Sequence, residues 1–146
     1  MPTPEIISSR ALPFPVKTVY NAFSDPDLLK QWWGPDGFTN TIHEFDLRPG
    51  GRWLLTMHGP EKGHYENAST FTVVEPNTKV AWTRQSQPLF DMEIDFTENG
   101  PTQTTITFRM IFETEEACAK IRPFATPKNE ENFDRLEALL RSQGNL

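Results

Sequence analysis

Residues 104–112 read TTITFRMIF, with Thr104, Ile106, Phe108, Met110 and Phe112 on one side and Thr105, Thr107 and Arg109 on the other. A period of two belongs to a β-strand with one buried face. Asn99-Gly100-Pro101 supplies the turn before it. Working upstream, the same period recurs from about residue 41. Phe45 and Leu47 alternate with Glu44, Asp46 and Arg48, and after the turn Pro49-Gly50-Gly51 the residues Trp53, Leu55 and Met57 share a parity. Tyr65, Asn67, Ser69, Phe71 and Val73 make a third row, Val80, Trp82 and Arg84 a fourth, and Met92, Ile94 and Phe96 a fifth, with turns at Pro76-Asn77 and near Pro88. Six consecutive strands joined by short turns predict an antiparallel meander, apolar on one face and rich in Thr, Asp, Glu and Arg on the other.

The apolar face needs a cover. Downstream, TPKNEENFDRLEALLRSQG predicts a long helix: Thr126 caps it, Pro127 fits its first turn, Phe133, Leu136, Leu139 and Leu140 form its stripe, and Gly144 ends it. Thr114 to Ile121 predicts a separate helical piece, broken by Pro123. At the other end, Glu5 to Leu12 suits a first strand stopped by Pro13 and Pro15. Val16 to Phe23 then carries Val16, Val19, Tyr20 and Phe23 on one helical face. Ser24 or Asp25 caps a second short helix with Pro26 at an early position, ended by Gly34, Pro35 and Gly37. The predicted class is α+β: a curved antiparallel sheet wrapped around a long C-terminal helix, with two short helices between strands 1 and 2. No repeat or linker interrupts residues 1–146, which are expected to form a single domain.

A chain of 146 residues is long enough for one sizeable core, burying about 70% of its extended-chain surface. Eleven Phe and four Trp are an aromatic surplus that can line a cavity as well as fill one. The net charge of −6, from 20 acidic and 14 basic side chains, offers no positive field for nucleic acid or for a membrane surface. No apolar run approaches the roughly 20 residues needed to span a bilayer, and MPTPEIISSR lacks the order of a signal peptide. A cytoplasmic protein is expected. Cys118 is the single cysteine, so an intramolecular disulfide and a multi-cysteine metal site are excluded; its acidic neighbours disfavour a thiolate, and a structural role is expected.

The run from Ala22 to Trp53 resembles the homologues of the activator of heat-shock protein 90 ATPase, C-terminal-domain type, in the START-like helix-grip (SRPBCC) superfamily. The resemblance rests on Ala22-Phe23, Asp25-Pro26, Gln31-Trp32-Trp33-Gly34-Pro35, and Asp46 with Arg48-Pro49-Gly50-Gly51-Arg52-Trp53. It continues through Glu75-Pro76, Trp82-Thr83, Asp95-Phe96-Thr97, Asn132, Leu136 and Leu140. It implies the same order of elements and brings no universal catalytic set. Chaperone activation would follow only from fold-level analogy.

With the apolar face turned toward the last helix, Trp53, Met57, Phe71, Trp82, Met92, Phe108 and Met110 converge with Phe133 and Leu136, as an apolar wall or simply as core. The same parity places His43, Tyr65, Asn67, Ser69 and Arg84 inside, where a few polar groups would orient a ligand. His43 is the single candidate for a general base. Of Trp32 and Trp33, one is expected in the core and the other at the pocket entrance. Asp91, Glu93 and Asp95 alternate with apolar residues and belong outside. His58 and His64 lack a third ligand, so no metal is expected, and no phosphate loop, nucleophile elbow or dinucleotide fingerprint calls for a cofactor. The expected function is binding of a small hydrophobic or aromatic molecule. The alternatives are a cyclase- or hydrolase-like enzyme in the same cavity and a chaperone-associated interaction module. Exposed sheet edges and tryptophans also suit a homodimer.

Overall fold

The computed structural model describes residues 4–144. In chain order the elements are β1 (Glu5–Leu12), α1 (Val16–Ser24), α2 (Pro26–Trp32), β2 (Thr39–Phe45), β3 (Arg52–His58), β4 (His64–Glu75), β5 (Lys79–Arg84), β6 (Asp91–Gly100), β7 (Gln103–Ile111) and α3 (Glu115–Gly144). The strands form one antiparallel sheet in the order β1-β7-β6-β5-β4-β3-β2. Strands β2 to β7 are the expected meander, and β1 joins its far edge. The chain must therefore cross from one sheet edge to the other between β1 and β2, and α1 and α2 make that crossing.

The crossing is pinned by local chemistry. The Asp25 carboxylate accepts from the Asp27 amide at 2.9 Å, capping α2 just ahead of Pro26. The indole of Trp32, fully buried, donates to the Ala22 carbonyl at 2.9 Å and ties α2 to α1. Phe23 and Leu29, also with no exposure, turn the two helices inward.

Two bulges alter the simple alternation. Register shifts between Ile42 and Glu44, so His43 is an extra residue and falls on the convex face. A second shift lies between Phe71 and Val73. There Val74, opposite fully buried Val80, packs on the core in place of the Val73 expected from parity. On that convex face Glu93 and Asp95 meet Lys79 at 3.3 and 3.6 Å, and Arg109 reaches Glu93 at 3.6 Å.

The C-terminal helix differs from expectation. Glu115–Gly144 is one helix of 30 residues with Pro123 and Pro127 inside it, and its first turn is capped by Thr114, whose hydroxyl accepts from the Ala117 amide at 3.1 Å. Thr126 is therefore an interior residue. Each proline removes one main-chain donor. Both are exposed, and their four-residue spacing puts them on one side, so water can serve the freed carbonyls. Meanwhile Cys118, Ala125, Phe133, Leu136 and Leu140, each at most 7% exposed, bury the opposite side along the whole length. Burial of a large apolar side chain such as Phe133, Leu136 or Leu140 contributes about 1.5–3 kcal/mol, which helps to offset the lost bonds.

Candidate functional site

Helix α3 packs closest to β1 and to α1 and α2, while the sheet curves away from it toward β3, β4 and β5. Large side chains fill that widening gap incompletely. What remains is a cavity of about 90 Å³. Its floor consists of Trp53 and Leu55 from β3, Asn67 and Ser69 from β4, Trp82 and Arg84 from β5, Met92 from β6, and Phe108 and Met110 from β7. Asn129 and Asn132 of α3 form its roof, with Trp33 and Phe90 beside them. Trp33, Asn67, Arg84, Phe90 and Asn129 are half-buried and mark the rim; the other lining residues are buried.

Most of the aromatic surplus is spent on itself. Phe23 stacks on Trp82 at 5.6 Å and 14°, and Trp53 meets Trp82 edge-on at 5.1 Å. Trp33 projects into this cluster, 5.3 Å from Trp53, 5.7 Å from Trp82 and 5.8 Å from Phe108 between ring centres. Such edge-to-face and offset contacts are the favoured arrangements of aromatic quadrupoles. Trp33 occupies much of the space that a larger pocket would use.

Trp33 is held there by the loop that follows α2. Asn132 donates to the Trp32 carbonyl at 2.9 Å and accepts from the Gly34 amide at 3.3 Å. Arg135 donates to the carbonyls of Gln31, Trp33, Gly34, Pro35 and Phe38 at 2.8–3.2 Å. Gly34 adopts φ +97°, and a Cβ there would meet Met57 Cε at 2.8 Å, so the turn needs glycine.

The polar groups gather on one side. Arg84 donates to Asn67 Oδ1 at 2.7 Å, to the Pro88 and Gln87 carbonyls at 2.9 and 3.2 Å, and to Ser86 Oγ at 3.3 Å, and it lies 5.1 Å from the Phe90 ring centre. Burial pushes its pKa below the ordinary arginine value. Trp53, 2% exposed, has an indole nitrogen with no hydrogen-bond partner. Asn129 donates to Ser8 Oγ at 3.3 Å. Arg84 is the single ionisable residue of the lining.

Of the residues singled out in the sequence, the cavity brings together Trp53, Asn67, Ser69, Trp82, Arg84, Met92, Phe108 and Met110. Phe71 lies one layer beyond, stacked on Trp53 at 6.1 Å and 7°. Phe133 and Leu136 are fully buried core, Phe133 packing on Phe108 at 4.6 Å. Met57 sits under the Gly34 loop, and Tyr65, 54% exposed, rests against Phe38 beyond the cavity. His43 is exposed on the convex face, where its Nε2 meets Thr56 Oγ1 at 2.7 Å and Thr56 donates to Glu66 at 2.7 Å; the bulge carries it away from the cavity. Asn129 carries no signal in the sequence and Asn132 enters there only through the family resemblance, although each lies four residues before Phe133 or Leu136 and so on the same stripe. Phe90 follows a strand break that carried no periodic signal.

Elsewhere, His58 and His64 approach at Nδ1 to 2.7 Å, and among the described residues no group of three His, Cys, Asp or Glu side chains could hold a metal ion. Cys118 is fully buried. No helix among the described residues is long and apolar enough to cross a membrane.

Comparison with known proteins places the chain in a family. No curated protein matches it in a sequence search. Solved structures that share its fold include a Mycobacterium smegmatis protein, 23% identical, with a TM-score of 0.86 over 97% of this chain and 93% of that one. A Nitrosomonas europaea protein is 22% identical, with a TM-score of 0.85 over 95% of each chain. An Aeromonas hydrophila protein, named as like the same activator, is 20% identical, with a TM-score of 0.76 over 96% and 94%. The model of the family described as activator of Hsp90 ATPase homolog 1-like protein matches residues 13–141. With that match spanning both the α1–α2 crossing and the Asn132–Arg135 clamp, the chain belongs to the activator of Hsp90 ATPase homolog 1-like family, within the START-like helix-grip superfamily.

Proposed function

We propose that the protein binds a small apolar or aromatic molecule in the cavity between the sheet and α3. The observation that carries this reading is the cavity itself, walled by Trp53, Trp82, Phe108 and two methionines and roofed by two asparagines. An apolar wall with a few converging polar groups is the usual composition of a ligand site. The enzyme alternative lacks support from the lining, because Arg84 is the single ionisable group there and His43 lies on the other face. An interaction module would call for a contiguous exposed apolar patch. Ile7, Tyr65, Leu89 and Phe124, the large exposed apolar side chains among the described residues, come from four different elements or loops.

At about 90 Å³ the cavity is well below the roughly 300–1,000 Å³ of pockets that enclose drug-sized ligands. It suits one ring or a head group. A longer molecule has to displace Trp33 or Phe90 at the rim. Burying roughly 150 Å² of ring surface at about 25 cal/mol per Å² contributes about 4 kcal/mol, which corresponds to a dissociation constant near 1 mM for a single ring.

Native mass spectrometry of gently purified protein tests for a retained molecule, and titration with toluene followed by tryptophan fluorescence tests the cavity directly, since Trp33, Trp53 and Trp82 all line it. Saturable change is expected in the wild type and loss of it in Met92→Glu. Equal uptake by a folded Met92→Glu variant would remove the cavity from consideration.

A further inference from the structure

Three neighbouring residues of the sheet floor, one on each of three adjacent strands, carry hydrogen-bond donors. Trp53 on β3 pairs with Ser69 on β4, and Ser69 pairs with Arg84 on β5. All three line the same cavity. The Trp53 indole N–H is buried without an acceptor. An indole nitrogen can only donate, and an unpaired buried donor costs about 1–3 kcal/mol.

Arg84 carries the second anomaly. A guanidinium has five N–H groups, and the four bonds to Asn67, Ser86, Gln87 and Pro88 leave one Nη1 hydrogen over. Every one of those acceptors is neutral. Arg10, Arg48, Arg52, Arg109, Arg122 and Arg141 each lie within 4.0 Å of a carboxylate, whereas Arg84 has no such partner among the described residues. Arg135 also lacks one, but five backbone carbonyls engage it. In a chain with six excess negative charges, a half-buried arginine without a counter-ion among the described residues stands out. No Asp or Glu lines the cavity, so nothing in the lining repels an anion.

From the donor row and the uncompensated Arg84, we infer that the cavity's ligand carries a carboxylate, which accepts from Trp53 Nε1 and Ser69 Oγ and neutralises Arg84, while its ring or chain lies against Met92, Phe108 and Met110. This rests on the cavity-binding reading above and names the class of its ligand: a small aromatic or aliphatic carboxylic acid. A carboxylate is acceptor-only when ionised and suits the row formed by the Trp53 indole, the Ser69 hydroxyl and the Arg84 guanidinium, each of which can donate. A neutral amide of the same shape would satisfy fewer of them and leave Arg84 without a counter-charge.

The test compares benzoate, benzamide and toluene at neutral pH by ¹H–¹⁵N NMR. The Trp53 indole cross-peak is assigned with Trp53→Phe. Benzoate is expected to bind at least roughly ten-fold more tightly than benzamide, about 1.4 kcal/mol, and to move the Trp53 indole proton downfield as it gains an acceptor. Arg84→Gln, checked for folding by circular dichroism, should bring benzoate to within about three-fold of benzamide. The wild-type comparison stands even if that variant fails to fold. Equal binding of benzoate and benzamide, or an unmoved Trp53 signal at saturation, overturns the carboxylate assignment and leaves the apolar cavity intact. Failure of all three probes overturns the assignment together with the cavity reading.

Discussion

Replacing Arg135 with Ala should loosen the Trp33 loop and cost the fold a measurable share of its stability. The guanidinium makes five contacts of 2.8–3.2 Å to main-chain carbonyls between Gln31 and Phe38. Hydrogen bonds to a charged donor contribute about 1.5–3 kcal/mol each, but three of these contacts share the two hydrogens of Nη1, and water reaches part of the loop. Burial also opposes the charge, as the lowered pKa of Arg135 indicates. Two fully effective bonds are a fair net, so Arg135→Ala should lose about 3–4 kcal/mol out of the roughly 5–15 that a domain possesses. At about 3 °C per kcal/mol this lowers the melting temperature by roughly 10 °C. Arg135→Lys, with three donors on one nitrogen and no planar fork, should lose about half as much. Urea titrations followed by far-UV circular dichroism and by tryptophan emission measure both, and Trp33 should shift emission to the red before global unfolding in the alanine variant. A loss under about 1 kcal/mol for Arg135→Ala, with unchanged emission, would refute the clamp.

Further expectations concern other parts of the molecule. A Cβ on Gly51 would sit 2.0 Å from the Asp46 carbonyl oxygen, whereas one on Gly50 meets nothing within 4 Å and suffers only from φ +87°; Gly51→Ala should abolish soluble expression or cost more than about 3 kcal/mol, and Gly50→Ala about 1 kcal/mol. Pro127→Ala should raise the urea midpoint by the equivalent of about 1–3 kcal/mol, because alanine restores a donor within α3; no change would return Pro127 to a helix start. The hydrogen bond from Lys79 to Glu93, with Asp95 nearby, raises the Lys79 pKa above 10.5, and burial raises that of Tyr20 above 10.0. In both cases the folded chain keeps a proton that the unfolded chain releases. Their contributions are full below the ordinary values and disappear as pH climbs through the folded ones. Stability should therefore fall as pH rises above about 10, less steeply in Lys79→Met; parallel curves for the two proteins would count against the pair. Cys118, fully buried, should react with a thiol reagent only at the rate of unfolding, which a urea-dependence of the reaction will reveal.

The strands were legible because one face of the sheet is covered. Ile106, Phe108 and Met110 had to alternate with polar residues, and the parity of Trp53, Trp82 and Met92 followed. Bulges leave no such mark: His43 and Val73 obey the alternation in sequence and break it in space, because one extra residue in the backbone reverses all that follows. The continuity of α3 was hidden for a different reason. Local propensity ends a helix at Pro123, and only the burial of Cys118 and Ala125 on the far side shows why it continues. In the cavity, apolar side chains announced themselves by periodicity, whereas Asn129 and Asn132 were masked by the charged residues around them. The position of Trp33 depends on Arg135, about a hundred residues away, and no local pattern carries a contact of that range.

Strand β1 pairs with β7, joining Glu5 to Ile111 and Leu12 to Thr104. During synthesis, β1 emerges ahead of the other six strands and waits for β7, the last of them. Until β7 is made, Ile6 and Leu12 have no sheet to enter, and the edge of β6 that β7 will occupy stands open. Pairings so distant in sequence cost the most loop entropy and are made late. The meander from β2 to β7 can assemble from neighbouring hairpins, whereas closure by β1 and docking of α3 come together at the end. The chain is therefore most exposed to aggregation after β6 has emerged and before β7 and α3 have followed it.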